Sequence, residues 1–116
     1  MMRFVSTALL TLSVVACGSG SLPAAKVADT QSSISAAAAV GADQNPQAAL
    51  HLKMARDQLK QAQDLGNRDK GAEAKLVLER ATVDAEVAMM ITREAEASAN
   101  VKKTQADVAA LKNGNP

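Results

Sequence analysis

Apolar residues return at helical spacing along three stretches of the chain, and each stretch has its own start and stop. The first runs roughly from Val27 to Val40, holds the run Ala36-Ala37-Ala38-Ala39, and ends at Gly41. In the second, Asn45 is placed as N-cap and Pro46 at the first helical position, and Gly66-Asn67 supplies a stop after Leu65. Along it Ala48, Leu52, Ala55, Leu59 and Ala62 are spaced 4-3-4-3, a seam for one partner helix. The third begins near Asp69 and meets no proline until the terminator Asn113-Gly114-Asn115-Pro116. Unbroken, it would span about 60 Å, with Ser98-Ala99-Asn100 the expected place for a bend or fraying.

The third stretch carries two apolar faces. Ala74, Leu78, Ala81, Ala85, Ala88, Thr92, Ala95 and Ala99 repeat the 4-3 spacing. At about 100° per residue, Leu76, Val83, Val87, Met90 and Val101 fall on nearly the opposite side. Such a helix needs two neighbours, either the first two helices or another protein. The expected fold is all-α: an elongated helical hairpin or three-helix bundle over residues 26–113, with a long C-terminal helix and a tail at 114–116. Seams lined by alanine draw helix axes toward the low end of the usual separation of about 8–10 Å. Added volume at Ala85 should therefore hurt more than a charge swap on an outer face.

The N-terminus follows a different pattern. Met1-Met2-Arg3 is a short basic start, and Phe4–Ala16 is an apolar stretch of thirteen residues. That suits a signal-peptide core and falls short of the roughly twenty residues a membrane-spanning helix needs. Val14-Val15-Ala16-Cys17 resembles the lipobox of bacterial lipoproteins. The resemblance implies cleavage between Ala16 and Cys17, a diacylglycerol thioether on Cys17, and usually a third acyl chain on the new amine. Two other readings are an uncleaved apolar helix with an incidental cysteine, and release by the ordinary signal peptidase. Residues 17–25 would form the acylated cysteine and a flexible tether, with Gly and Ser supplying freedom and Pro23 delaying the first helix. Gly18 stands where an aspartate often marks inner-membrane retention, so the expected address is the periplasmic face of the outer membrane.

Composition narrows the picture further. Hydrophobic residues make up 47 %, yet Trp and Tyr are absent and the only Phe is Phe4. Past the signal no aromatic side chain remains to fill a core, which predicts a thin, marginally stable domain. Net charge is +1, and without Arg3 twelve basic residues face twelve acidic ones. This balance argues against a nucleic-acid binder or a polybasic membrane patch. The single cysteine cannot form an internal disulfide.

Candidate chemistry is sparse. His51 is the only histidine, and Met54 lies three residues on, so a weak copper site lacks further ligands. Glu94 and Glu96 point about 200° apart on a helix and cannot share a proton or metal. Lys75 with Glu79, and Arg80 with Asp84, read as exposed i,i+4 salt bridges. Lys102-Lys103 reads as a solvated helix end, with anionic headgroups or wall polymer as the alternative. Met89-Met90-Ile91 is either ordinary core or an adaptable patch for a partner. No cofactor, catalytic residue or small-molecule substrate is indicated. The contact face for a protein partner or a second copy is expected at Ala81, Ala85, Ala88, Met89, Met90 and Ala95.

From about Ser35 to Ala99 the chain resembles a known family. Ala39-Val40-Gly41-Ala42, then Pro46, then Leu52-Lys53-Met54-Ala55-Arg56-Asp57-Gln58-Leu59-Lys60-Gln61-Ala62, and the alanine-spaced stretch Ala72 to Ala88 are similar to domain of unknown function 4398 (DUF4398). The resemblance implies a short bacterial envelope lipoprotein with a helical hairpin. It implies no activity and carries no functional residues. A weaker resemblance to tetratricopeptide helix pairs lacks that repeat's aromatic positions and its period of about 34 residues. The expected function is non-enzymatic: a small lipoprotein that offers a helical surface to a partner. A spacer between outer membrane and peptidoglycan is the alternative, and periplasmic metal handling through His51 a minor one. Pro116 at the end does not resemble the lysine of a covalent peptidoglycan anchor.

Overall fold

The computed structural model describes residues 20–114. The expected signal at 1–16, the cleavage site at Ala16 and the acylated Cys17 lie outside the described residues. Three helices follow in order: α1 Ala24–Ala39, α2 Pro46–Gly66 and α3 Gly71–Lys112, with a 3-10 turn at Ala42–Gln44 between the first two. The fold is the expected all-α one, dominated by its last helix.

Helix α1 starts earlier than the periodicity suggested. Pro23 has no N–H to lose at a helix start, and its carbonyl accepts from Val27 N–H at 3.2 Å, so the tether shortens and Ala24 and Ala25 are helical. At the far end Gly41 takes φ 86°, a left-handed turn that glycine adopts without strain, and its N–H donates to the Ala38 carbonyl. The Asn45 cap forms as expected: Oδ1 accepts from Gln47 N–H at 3.0 Å and Ala48 N–H at 3.1 Å.

Helix α2 stops where expected, at Gly66-Asn67, but the corner that follows takes its left-handed residue elsewhere. Gly66 is the last helical residue, and the left-handed residue is Asp69, at φ 58°. Lys70 N–H returns to the Leu65 carbonyl at 3.0 Å, and Asp69 N–H to that of Gly66 at 3.3 Å, the two bonds of a Schellman closure. Aspartate is one of the few side chains that tolerate this region. The tight corner turns α3 back along α2. Leu22 packs beside Gly66, so α1 begins where α2 ends. The helices therefore run up, down and up.

The core is as thin as the composition predicts. Nine of its thirteen buried apolar residues are alanine, and Leu52 is the largest that is fully enclosed. Ala48, Leu52, Ala55, Leu59 and Ala62 all face inward from α2. On α3 the buried line is Gly71, Ala74, Leu78, Ala81, Ala85, Ala88 and Thr92. It stops there: Ala95 and Ala99 are exposed, because the turn joining α1 to α2 crosses α3 at that level and no helix packs above it. From α1, Thr30, Ile34 and Ala37 complete the core. The Thr30 and Thr82 hydroxyls lie 2.8 Å apart, and each also reaches the carbonyl four residues back, Lys26 and Leu78. Their two protons serve three contacts.

Helix α3 is one unbroken element of 42 residues, about 63 Å long. It continues through Ser98-Ala99-Asn100 without the expected break. From Arg93 to Gly114 every residue is exposed, so nearly half of α3 stands beyond the bundle.

Candidate functional site

Two places merit inspection for chemistry or contact. The first is a polar cluster between α2 and α3. His51 and Gln58 lie two turns apart on α2 and close on opposite oxygens of Asp84. His51 Nδ1 stands 2.9 Å from Oδ1, and Gln58 Nε2 donates to Oδ2 at 2.8 Å. A carboxylate only accepts, so Nδ1 carries the proton in that bond. The Asp84 side chain is 16 % exposed and that of His51 28 %.

This arrangement corrects one expectation. Asp84 turns inward across the helix interface and does not pair with Arg80, nor does Lys75 pair with Glu79. Among the described residues the exposed ion pairs are Lys53–Asp57 at 2.6 Å, Arg56–Asp43 at 3.5 Å and Lys70–Glu73 at 3.6 Å. Exposed pairs of this kind contribute about 0–1 kcal/mol each.

A histidine held by an aspartate is also the base-and-orienter half of a hydrolytic triad. Here no hydroxyl or thiol among the described residues is hydrogen-bonded to the other ring nitrogen. Among the described residues no three His, Cys, Asp or Glu side chains converge as a metal site. The cluster links two helices across a seam otherwise made mostly of alanine and leucine. Gln58 Oε1 is the one buried side-chain oxygen without a partner among the described residues.

The second place is the surface of α3. The six residues expected to form a contact face divide there. Ala81, Ala85 and Ala88 are fully buried against the rest of the bundle, so their surface is consumed within the chain. Met89 is half-buried and packs on the core together with Ile91. Met90 and Ala95 are open to solvent. The first and second helices both cover the alanine face and leave the opposite one free.

That free face extends further than its sequence signal suggested. Leu76, Val83, Met90, Val101, Val108 and Leu111 are large apolar residues between 43 % and 74 % exposed. With half-buried Val87 and exposed Ala97 they keep the 4-3 spacing, interrupted by Arg80, Glu94 and Thr104. Seven residues fall about 20° short of two turns, so from Leu76 to Leu111 the line winds slowly, by about 100°, round the helix. It runs along the open side of the bundle and continues up the overhang. Among the described residues no helix is long and apolar enough to cross a membrane. Most helical stability in proteins comes from packing an apolar face, and the overhang packs on none of the other described residues.

Comparison with protein families matches residues 25–111 to one described as a domain of unknown function (DUF4398). No curated protein and no solved structure matches the chain.

Proposed function

The chain belongs to the family of the domain of unknown function (DUF4398), and from that footing we propose that it is a small envelope lipoprotein whose helical domain works by contact rather than by catalysis. The Val14-Val15-Ala16-Cys17 sequence supports the anchor. Two or three acyl chains at about 0.8 kcal/mol per buried methylene hold a protein firmly to a bilayer. The address we favour is the periplasmic face of the outer membrane, on the strength of Gly18 following the cysteine. Gly20 lies against Gly71 at the base of the bundle, so an anchor three residues earlier puts the bilayer at the end opposite the overhang.

One observation carries the contact reading: an apolar line runs the length of α3, uncovered by its own chain and continued where the helix has no neighbour at all. An uncovered apolar line of this length marks an interaction surface more readily than scattered exposed residues do. The experiment is crosslinking in cells from a photoreactive residue at Val101, followed by mass spectrometry. A discrete crosslinked species supports the proposal. Neither a neighbour nor a self-contact would remove it.

The unbroken α3 favours a second reading, a stiff spacer that acts through length. Insertions of seven residues at Asn100 keep the helical phase and add about 10 Å. A phenotype that follows length, whatever the sequence of the insert, would favour the spacer.

A further inference from the structure

We infer that the occupant of the open line on α3 is a second copy of this chain, running antiparallel, with the two overhangs paired from Val87 to Leu111. This rests on the contact reading above and names its partner. Between those residues the 4-3 pattern lasts three and a half heptads, the length at which it argues for a coiled coil. Valine stands at 87, 101 and 108 on one edge of the line, and Met90, Ala97 and Leu111 stand on the other. Six of the eight positions in the line are apolar, Glu94 and Thr104 being the exceptions, which leaves a continuous edge for one partner helix.

Charge selects the direction. In a parallel, in-register pair Glu94 faces Glu94 of the second copy within the seam, and like charges there oppose pairing. Antiparallel pairing about the level of Ala99 removes that clash. It sets Val87 opposite Leu111, Met90 opposite Val108 and Ala97 opposite Val101, with Glu94 opposite Thr104. On one flank Arg93 then lies beside Asp107 of the second copy, twice by symmetry, and Asn100 lies beside itself at the two-fold axis. Glu96 lies level with Lys102 of the second copy, both on the outer sides of the helices. All of these residues except half-buried Val87 are exposed in the single chain, so pairing requires no rearrangement of the bundle. The two Gly71 ends would stand roughly 84 Å apart, at 1.5 Å per residue. Two anchored copies on one membrane would therefore lie along its surface.

The test uses cysteine pairs in the full chain, expressed in cells, with the unsubstituted chain and its Cys17 as baseline. Asn100→Cys should form a disulfide dimer under mild oxidation. Arg93→Cys and Asp107→Cys should each crosslink poorly alone and well when co-expressed. Efficient Arg93→Cys self-crosslinking without the mixed product would show parallel pairing and overturn the inference. The charge swap adds a second readout: Asp107→Arg should weaken self-association by about tenfold, since two exposed pairs are lost and two repulsions appear. Combining it with Arg93→Asp should restore association to within about twofold. The photoreactive residue at Val101 separates the two levels. Crosslinks to a different protein alone would overturn the antiparallel pair and leave the contact reading standing, whereas crosslinks to nothing would overturn both.

Discussion

Replacing Ala85 with leucine tests whether the alanine seam sets the separation of α2 and α3. Ala85 is fully buried midway along the seam, with Ala81 and Ala88 one turn to either side and Ala55 on the facing helix equally enclosed. Leucine adds three carbons. If space existed they would contribute about 0.8 kcal/mol each by burial, roughly 2.4 kcal/mol in favour of folding. The seam has no such space, since Ala85 is fully enclosed and so is Leu52, which the antiparallel register sets opposite it. The helices must part or the side chain must leave its preferred rotamer, and overpacking of this kind costs typically 1–3 kcal/mol. For a domain of this size each kcal/mol moves the melting midpoint by about 4–8 °C. The account predicts a fall of about 5–20 °C for Ala85→Leu, read by circular dichroism at fixed protein concentration. Ala106→Leu makes the same change on the exposed overhang, away from the apolar line, and should stay within about 0.5 kcal/mol of the parent. An Ala85→Leu midpoint equal to or above the parent would mean that the seam has room, and the close-packing argument would fail.

Other consequences follow from the same interfaces. Asp84→Ala strips both His51 and Gln58 of their acceptor and should cost about 1–3 kcal/mol in denaturant unfolding, whereas an exposed aspartate would give almost no change. Thr30→Val leaves the Thr82 hydroxyl facing a methyl group, while the double change with Thr82→Val removes both partners. The double variant should be closer to the parent than the sum of the singles, and strict additivity would contradict the shared-proton contact. Gly71→Ala places a Cβ on the Gly20 carbonyl, so residues 20–22 must move. Amide exchange at Val27, whose N–H donates to the Pro23 carbonyl at 3.2 Å, should rise in that variant, and unchanged protection there would show that the contact is dispensable.

Much of the fold was legible because it rests on short-range chemistry. Asn45 followed by Pro46 marks a helix start wherever the chain goes afterwards, and the 4-3 spacing of Ala48 to Ala62 identifies the buried side of α2 from its own residues. Where that reading went astray, a long-range fact decided. Gly66-Asn67 does end α2, but the left-handed residue is Asp69, and what Gly66 lies against is Leu22, more than forty residues away. Ala95 and Ala99 continue the buried spacing of α3, and only the crossing of the α1–α2 turn determines that they stay outside. Periodicity shows that a helix has two apolar faces but not which one its neighbours cover. For this reason Ala81, Ala85 and Ala88 looked available for a partner and are not.

The polar contacts were the least legible part. Arg80 and Asp84 satisfy the i,i+4 rule, and nothing local states that the aspartate prefers a histidine on another helix. A signal did exist. Pairing the seams of α2 and α3 antiparallel, with Ala55 near Ala81, brings His51 near Asp84, so aligning the seams before assigning salt bridges would have found the link. The Thr30–Thr82 contact follows in the same way once α1 is laid beside α3. The open line was legible as far as Val101; its continuation through Val108 and Leu111 keeps the same spacing but was not read from it.

The most direct measurement asks whether the open line on α3 is covered in the cell envelope. Val101→Cys and Ala106→Cys sit five residues apart on opposite sides of the overhang, both exposed in the single chain. Thiol-reactive labelling of intact envelopes should proceed several-fold more slowly at Val101→Cys, with the two becoming equal after the protein is denatured. Equal labelling in the envelope would mean that this face meets only water, and a function through contact at α3 would have to be abandoned.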